Sequence, residues 1–145
     1  MSGALDDVRV LELANWVAGP SAGAILADLG ADVVKVEPLT GDSMRRRLRQ
    51  PARPEGAPHV DIPFQLDNRG KRSVVVDLTD PRGAEVVREL AAGSDVVVTN
   101  LLPGRLVRFG LDPDTLRAAH PALIYAVVTG YGTTGDDADR VALDL

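Results

Sequence analysis

The sequence predicts a doubly wound α/β fold, a Rossmann-like and mostly parallel sheet with helices on both faces. Five short aliphatic runs of strand length alternate with helical patterns. These runs are apolar at nearly every position, which is typical of strands covered by helices on both sides. Glycine and proline separate the runs. The 145 residues suffice for one domain with a real core, and with 3% aromatic residues that core is aliphatic.

Residues 8–38 indicate a strand, a helix and a second strand, the unit from which parallel sheets are built. Residues 8–13 form the first apolar run. Pro20 is expected at the first helical position, after the turn signal that it forms with Gly19. Gly30 stands where a glycine ends a helix, and residues 32–37 form the second strand.

The segment 39–70 has no apolar period and is predicted to be one long loop. Four prolines interrupt it: Pro51, Pro54, Pro58 and Pro63. Loops of this length are usually functional or covered by other parts of the protein. It begins near a basic cluster at residues 45–49, which either meets an anionic ligand or forms a solvated face that pairs with acidic residues.

The second half repeats the alternation of strands and helices. Residues 74–78 are predicted to form a strand, and Thr79 or Asp80 caps a helix that begins at Pro81 and ends at Gly93. The predicted buried stripe of that helix consists of Val86, Val87, Leu90 and Ala91.

Four more elements complete the pattern. Residues 95–99 form a strand, an amphipathic piece carries Leu106, Val107 and Phe109, and Asp112-Pro113 opens a short helix before a strand at 122–129. The chain stops inside another helical pattern, from which we expect residues 1–145 to be the N-terminal portion of a longer domain.

Composition excludes several functions. The absence of cysteine excludes disulfides and thiolate nucleophiles, and the two histidines lack a metal-binding spacing, so no metal site is expected. A net charge of -5 argues against nucleic acid as a partner. Without a leader pattern or an apolar span of about 20 residues, a cytoplasmic protein without membrane contact is expected.

Standard nucleotide motifs are also missing. The sequence has no GxGxxG or GxxxxGK[ST] loop and no GxSxG elbow. Glu37 ends the second strand where a ribose-binding acid lies in nicotinamide enzymes, but without the glycine fingerprint this signal is weak.

Four segments in order resemble the N-terminal part of the family III CoA-transferases, which include formyl-CoA transferase, carnitine CoA-transferase and alpha-methylacyl-CoA racemase. They are VLELANWVAGPSAGAILADLGADVVKVEPLTGD, NRGKRSVVVDLTDPRG, DVVVTNLLPGRLVRFGLD and PALIYAVVTGYGTTG. The resemblance implies the large domain of that family, here incomplete. It also implies coenzyme A or acyl-CoA as substrate, no permanently bound cofactor, a carboxylic acid acceptor and an interlocked homodimer at full length.

The resemblance assigns roles to residues that match the family. CoA lies over the carboxyl edge of the sheet, with Val17 and Ala18 beside the thioester and the Glu37-Pro38 end nearer the nucleotide. Lys71 and Arg72 match basic residues near the nucleotide, where a cation suits the 3'-phosphate; the alternative is surface charges flanking a strand. The turn that contains Asn100, Leu101 and Leu102 matches NFRPG and borders CoA, with Arg105 as a further candidate cation.

The sequence departs from the family at four positions. Leu102 and Pro38 replace arginines, so other cations hold CoA or its affinity is reduced. Val17 replaces the glutamine of formyl-CoA transferase, which argues against that substrate. Leu143 replaces the racemase histidine, which disfavours racemisation, since that needs two acid/base groups.

The remaining question is what this chain does alone. Asp144 is a possible catalytic contributor or simply a helix-start acid. In the family the nucleophilic aspartate lies beyond the matching segments, so the isolated chain is expected to be inactive. The leading interpretation is the CoA-binding part of a family III CoA-transferase; the alternatives are a non-catalytic module that binds CoA or a partner chain, and less favoured, a racemase.

Overall fold

The computed structural model describes residues 3–47 and 61–142, without the side chains of Arg46 and Arg47. The strands are β1 (Arg9–Leu13), β2 (Asp32–Glu37), β3 (Arg72–Val75), β4 (Val96–Thr99) and β5 (Ile124–Val127). The helices are α1 (Ala18–Asp28), α2 (Met44–Arg47), α3 (Ile62–Asn68), α4 (Pro81–Ala92), α5 (Pro103–Phe109) and α6 (Pro113–Ala119).

The strands form one sheet in the order β3-β2-β1-β4-β5, and every neighbouring pair is parallel. The predicted α/β sheet is therefore confirmed. The chain runs outward from β1 to β3 and then returns to place β4 on the other side of β1. A crevice forms at the carboxyl ends of the strands where the order reverses, here between β1 and β4.

Side chains of β1 show that helices cover both faces. Leu11 and Leu13 belong to a large cluster that includes Val87 of α4 and Leu106 of α5. Val10 points to the other face, where it packs in a second cluster with Val33, Val98 and, from α1, Leu26 and Ala27. This division follows from the alternation of side chains along a strand.

The opening unit agrees with the sequence except at the helix start. β2 spans the predicted residues, and Gly30 has a φ of +106° directly after the C-cap of α1. Pro20, however, is the third residue of α1 rather than the first. It is tolerated there because the amides of the first turn have no intrahelical partner.

The prediction of a continuous loop over 39–70 is wrong at α3. The Asp61 side chain caps this helix by accepting a hydrogen bond from the Phe64 amide at 3.2 Å, and Pro63 lies in its first turn. α2 is a second, shorter helix in this region. Residues 48–60, with Arg49, Pro51, Pro54 and Pro58, lie outside the described residues.

The helices and strands of the second half form where the sequence predicts them, with differences at the start of β3 and in the buried face of α4. Asp80 caps α4, which begins at Pro81 and ends at Gly93 as predicted. Val86 is the exception in its buried stripe: it is 44% exposed, and Ala84 is buried in its place. β3 begins two residues early because Arg72 and Ser73 pair with Val34 and Lys35 of β2.

The last elements are shorter than their patterns. Asp112 caps α6, with its side chain accepting from the Thr115 amide at 2.9 Å. β5 covers the centre of the predicted run 122–129. Across the two described stretches of chain, no helix has the length and apolar character that crossing a membrane requires.

Candidate functional site

A cavity of about 510 Å³ opens at the carboxyl edge of the sheet, at the switch between β1 and β4. It is lined by the loops that follow β1, β4 and β5. Its residues include six that the sequence resemblance singled out: Val17, Ala18, Asn100, Leu101, Leu102 and Arg105. The fold therefore brings these six positions together around one space.

A second cavity of about 330 Å³ adjoins the first. It is formed by the loops after β1, β2 and β3 together with α5, and Pro38, Leu78 and Phe109 belong to its largely apolar lining. Three residues line both cavities: Asn15, Leu101 and Arg105. The two spaces together form an elongated groove, and Arg105 belongs to the lining of both.

Asn100 fixes the two strand-end loops to each other. Its side-chain amide donates to the Asn15 carbonyl at 2.6 Å, and its side-chain oxygen accepts from the Asn15 amide at 2.9 Å. A Cβ on nearby Gly19 would stand 2.6 Å from the Ala14 Cβ, so only glycine lets α1 begin this close to the end of β1. These contacts hold the loops after β1 and β4 and the start of α1 close together.

The start of α1 faces the first cavity. Its N-cap, Val17, makes no capping hydrogen bond through its side chain, and Val17 and Ala18 both line the space. The first amides of a helix lack intrahelical acceptors and carry partial positive charge, so they favour an anion or a polarised carbonyl. α1 therefore offers the groove electrostatic stabilisation without a charged side chain.

Lys71 does not lie in the groove. Its ammonium is 2.7 to 3.0 Å from the Asp67 carbonyl, the Pro20 carbonyl and the Asn68 side-chain oxygen. It also forms an ion pair of 2.6 Å with Glu12. Burial lowers the pKa of Lys71, an effect that Glu12 opposes. These contacts point the ammonium into the protein, between α1 and α3, and the phosphate contact expected of Lys71 stays a prediction.

Arg72 lies at the opposite edge of the sheet. It is the first residue of β3, and its exposed guanidinium donates to the Asp32 carboxylate at the start of β2. The amino ends of parallel strands lie far from the crevice at their carboxyl ends. The contact between Arg72 and the nucleotide end of CoA that the resemblance implies stays a prediction.

Behind the groove lies a network of four charged side chains that are 0 to 2% exposed: Glu12, Lys35, Asp42 and Lys71. Lys35 Nζ is 2.8 Å from Glu12 Oε1 and 2.8 Å from Asp42 Oδ2. Two positive and two negative groups balance within it. Buried charges require such pairing, since an isolated one is costly to desolvate.

Sequence reasoning missed this network because β1 and β2 were interpreted as apolar strands. A signal was nevertheless present. Glu12 and Lys35 are direct partners in the β1–β2 register, so an acid and a base at matching positions of adjacent strands meet side by side.

Both carboxylate oxygens of Glu37 accept hydrogen bonds from neighbouring residues, so Glu37 is not available to bind a ribose. It accepts two hydrogen bonds of 2.7 Å from Arg45, one of 2.6 Å from Ser73 and one from the Asp42 amide. Burial alone would raise the pKa of Glu37, but these hydrogen bonds lower it to about 2. Arg45 also lies over the Phe64 ring, so within the basic cluster it has a structural role.

Trp16 is the strained residue of the groove wall. It lines the first cavity with a φ of 70°, the one non-glycine residue with positive φ among the residues described. The left-handed conformation costs such a residue roughly 1–2 kcal/mol. Its amide donates to Asp42 Oδ1 at 3.3 Å, which connects the groove wall to the buried network.

Some positions singled out in the sequence have no structural placement. Leu143 and Asp144 lie outside the described residues, as do Arg49 and the side chains of Arg46 and Arg47. The possible catalytic contribution of Asp144 stays a prediction.

A parallel sheet of this order, with a groove at its switch point, defines a doubly wound α/β domain, the class in which ligands bind outside the carboxyl ends of the strands. The family model of CoA-transferase family III matches residues 5–145. The chain therefore belongs to CoA-transferase family III.

Similar proteins agree with this assignment. The chain is 44% identical over 144 residues to the succinate–glutarate CoA-transferase of Agrobacterium fabrum, covering 97% of this chain and 36% of that protein. It is 44% identical over 142 residues to a probable fatty acyl-CoA transferase of Mycobacterium tuberculosis, covering 97% and 35%. The chain thus spans about a third of the length of these relatives.

A solved structure gives the same result. A CAIB/BAIF family protein from Brucella suis superimposes with a TM-score of 0.88 at 43% identity, covering 99% of this chain and 38% of that one.

Proposed function

We propose that this chain forms the CoA-binding N-terminal part of a family III CoA-transferase, which moves CoA from an acyl-CoA to a carboxylic acid. The observation that carries the proposal is the groove itself. Residues from five strand-end regions converge on it, and Arg105 lines both of its cavities. CoA is an extended, anionic molecule, and a central guanidinium suits its phosphates.

The two cavities suit the two ends of acyl-CoA. Val17 and Ala18 lie in the larger cavity, where the first amides of α1 would stabilise the thioester oxygen as negative charge develops on it. Pro38 lies in the smaller, apolar cavity, which would take the nucleotide end. Asn100, Leu101 and Leu102 line the larger cavity, Leu101 also lines the smaller one, and the three would border the pantetheine chain.

The chemistry of transfer needs a carboxylate nucleophile. In the family's reaction that carboxylate attacks the thioester carbonyl, giving a mixed anhydride and CoA thiolate; the thiolate then attacks the anhydride, releasing the first acid and leaving an enzyme-bound CoA thioester. The acceptor acid takes CoA by the reverse steps. The family's nucleophile lies beyond the segments matched here, so we propose that these 145 residues bind CoA but do not complete transfer.

Assembly follows from the same resemblance. We infer an interlocked homodimer for the full-length protein and a cytoplasmic location, where acyl-CoA and carboxylic acids are both available. The relatives named above act on different acids by their names, so acyl-group selectivity is not assigned to residues of this chain.

Isothermal titration calorimetry with CoA tests the proposal. Arg105→Ala should weaken binding about tenfold, the loss of one charge-assisted contact to phosphate. Arg117→Ala is the matched control, because Arg117 is an exposed arginine on α6 that lines neither cavity. No CoA binding by the wild-type chain, or equal losses in the two variants, would overturn the proposal.

A transfer assay separates the alternatives. Acyl transfer by the isolated chain would show that it contains its own nucleophile, contrary to the proposal. CoA binding without transfer is the expected result. Exchange of the α-proton of a branched acyl-CoA would instead favour a racemase.

A further inference from the structure

The groove wall contains a turn that a buried carboxylate holds in place. Trp16 adopts a φ of 70°, and Val17 follows as the N-cap of α1. Asp42 Oδ1 accepts hydrogen bonds from the Trp16 amide at 3.3 Å and the Met44 amide at 2.8 Å. One oxygen thus connects the loop after β1 to the loop after β2.

The second oxygen of Asp42 forms an ion pair. Asp42 Oδ2 is 2.8 Å from the Lys35 ammonium, and neither group is more than 1% exposed. Lys35 also donates to the Ala14 carbonyl at 2.7 Å, two residues before Trp16. Lys35 and Asp42 therefore contact the loop after β1 on both sides of Asn15, at Ala14 and at Trp16.

Only an aspartate at position 42 satisfies this arrangement. Both carboxylate oxygens are acceptors, so one can face two amides while the other faces an ammonium. Asparagine has one acceptor and one NH₂ donor, so one of its two sides would meet another donor.

We propose that Asp42 is a positioning residue: anchored by Lys35, it fixes the Trp16–Val17 turn and thereby sets the start of α1 against the ligand groove. The identity of the ligand, acyl-CoA, rests on the proposed function. That Asp42 fixes the turn is inferred from its own hydrogen bonds and ion pair, whichever ligand the groove binds.

Trp16 is the only tryptophan of the sequence, so its fluorescence reports on this turn without interference. The test compares the wild-type chain with Asp42→Asn, measuring acrylamide quenching of Trp16 and the Kd of CoA. Asp112→Asn is the matched control, because Asp112 caps α6 with a similar side-chain-to-amide hydrogen bond and asparagine caps equally well.

The expected result is a folded Asp42→Asn protein with the wild-type far-UV circular dichroism, a quenching constant raised about twofold as the turn loosens, and CoA binding weakened about tenfold. The Asp112→Asn protein should match the wild type in both measurements. Unchanged quenching in a folded Asp42→Asn protein would overturn the proposal. If the wild type binds no CoA but quenching responds as expected, the proposed function fails and the positioning role stands.

If the Asp42→Asn protein does not fold, a measurement on the wild-type protein tests the proposal instead. Hydrogen exchange followed by NMR should show the Trp16 and Met44 amides both slowed by about tenfold or more relative to unstructured peptide rates. Exchange of both amides at peptide rates would mean that Asp42 does not hold them, and the proposal would be overturned.

Discussion

Gly23 of α1 lies directly over the carboxylate of Glu12 in β1. A Cβ built on Gly23 would stand under 3.0 Å from Glu12 Oε2, closer than real Cβ atoms come. Glu12 cannot move aside, because Lys35 and Lys71 hold its two oxygens. The buried charge network thus dictates a glycine in the middle of a helix.

Gly23→Ala should therefore reverse the usual helix preference. In an exposed helix the change would stabilise by about 1 kcal/mol, but here we expect destabilisation by about 2 kcal/mol or more, as for an overpacked core. Urea unfolding measures the difference.

Gly93→Ala is the control for this prediction. Gly93 ends α4 with a φ of −87°, and its nearest neighbour to a new Cβ would be 3.6 Å away, so the free energy of unfolding should change little. A stabilised Gly23→Ala protein would contradict the predicted clash.

The depressed pKa of Glu37 predicts acid sensitivity. Because the folded pKa is about 2 against an ordinary 4.5, its contribution is present above pH 4.5 and is lost as the pH falls toward 2. The shift corresponds to about 3 kcal/mol of stability. Arg45→Met removes the guanidinium that helps to lower the pKa, so it should cost stability at pH 7.

The pH profile distinguishes this effect from lost packing. The stability difference between wild type and Arg45→Met, measured by urea unfolding, should shrink below pH 4.5 as Glu37 protonates in the variant first. A difference that stays constant from pH 7 to pH 3 would mean that packing against Phe64, rather than the charge, is what Arg45 provides. Arg82→Met, at the exposed pair with Asp80, should show almost no difference at any pH.

The location of Arg72 predicts a negative result with a CoA analogue. CoA and 3'-dephospho-CoA differ by one phosphate, and the ratio of their affinities measures contacts to it. Because Arg72 pairs with Asp32 at the amino edge, Arg72→Ala should leave that ratio unchanged in calorimetric titrations. A ratio that collapses toward one in the variant would restore the role that the family resemblance assigns to this arginine.

Asn100→Asp should loosen the junction between the β1 and β4 loops. The change keeps an acceptor for the Asn15 amide but sets a carboxylate oxygen against the Asn15 carbonyl, where the wild type has a hydrogen bond of 2.6 Å. We expect a loss of about 2 kcal/mol in the free energy of unfolding near pH 7, since a partly buried acceptor loses its donor. Stability equal to the wild type would indicate that the two loops are held by other contacts.

The sequence predicted those elements whose signals are local. Asp80-Pro81 and Asp112-Pro113 each combine a side-chain cap with a proline that fits the first turn, and both mark helix starts in the structure. α3 was missed because it is short, follows a proline-rich stretch and buries only Phe64 among its apolar residues.

The site was predictable in part for a different reason. Strand direction alone places a cavity at the carboxyl edge of the sheet, and Val17, Ala18 and Asn100, which the family resemblance singled out, line that cavity. It could not locate Lys71, because the direction of a long side chain depends on acceptors that come from α1, α3 and β1 after folding.

The pairing of Glu12 with Lys35 limits how this wall of the groove can change. Removing either partner alone leaves a buried charge uncompensated and costs about 3–5 kcal/mol, and removing both leaves Lys71 and Asp42 buried without their ion-pair partners. A viable replacement of these charges therefore requires coordinated substitutions at all four positions of the network. A library that varies positions 12, 35, 42 and 71 together should yield folded proteins that single-site libraries never sample.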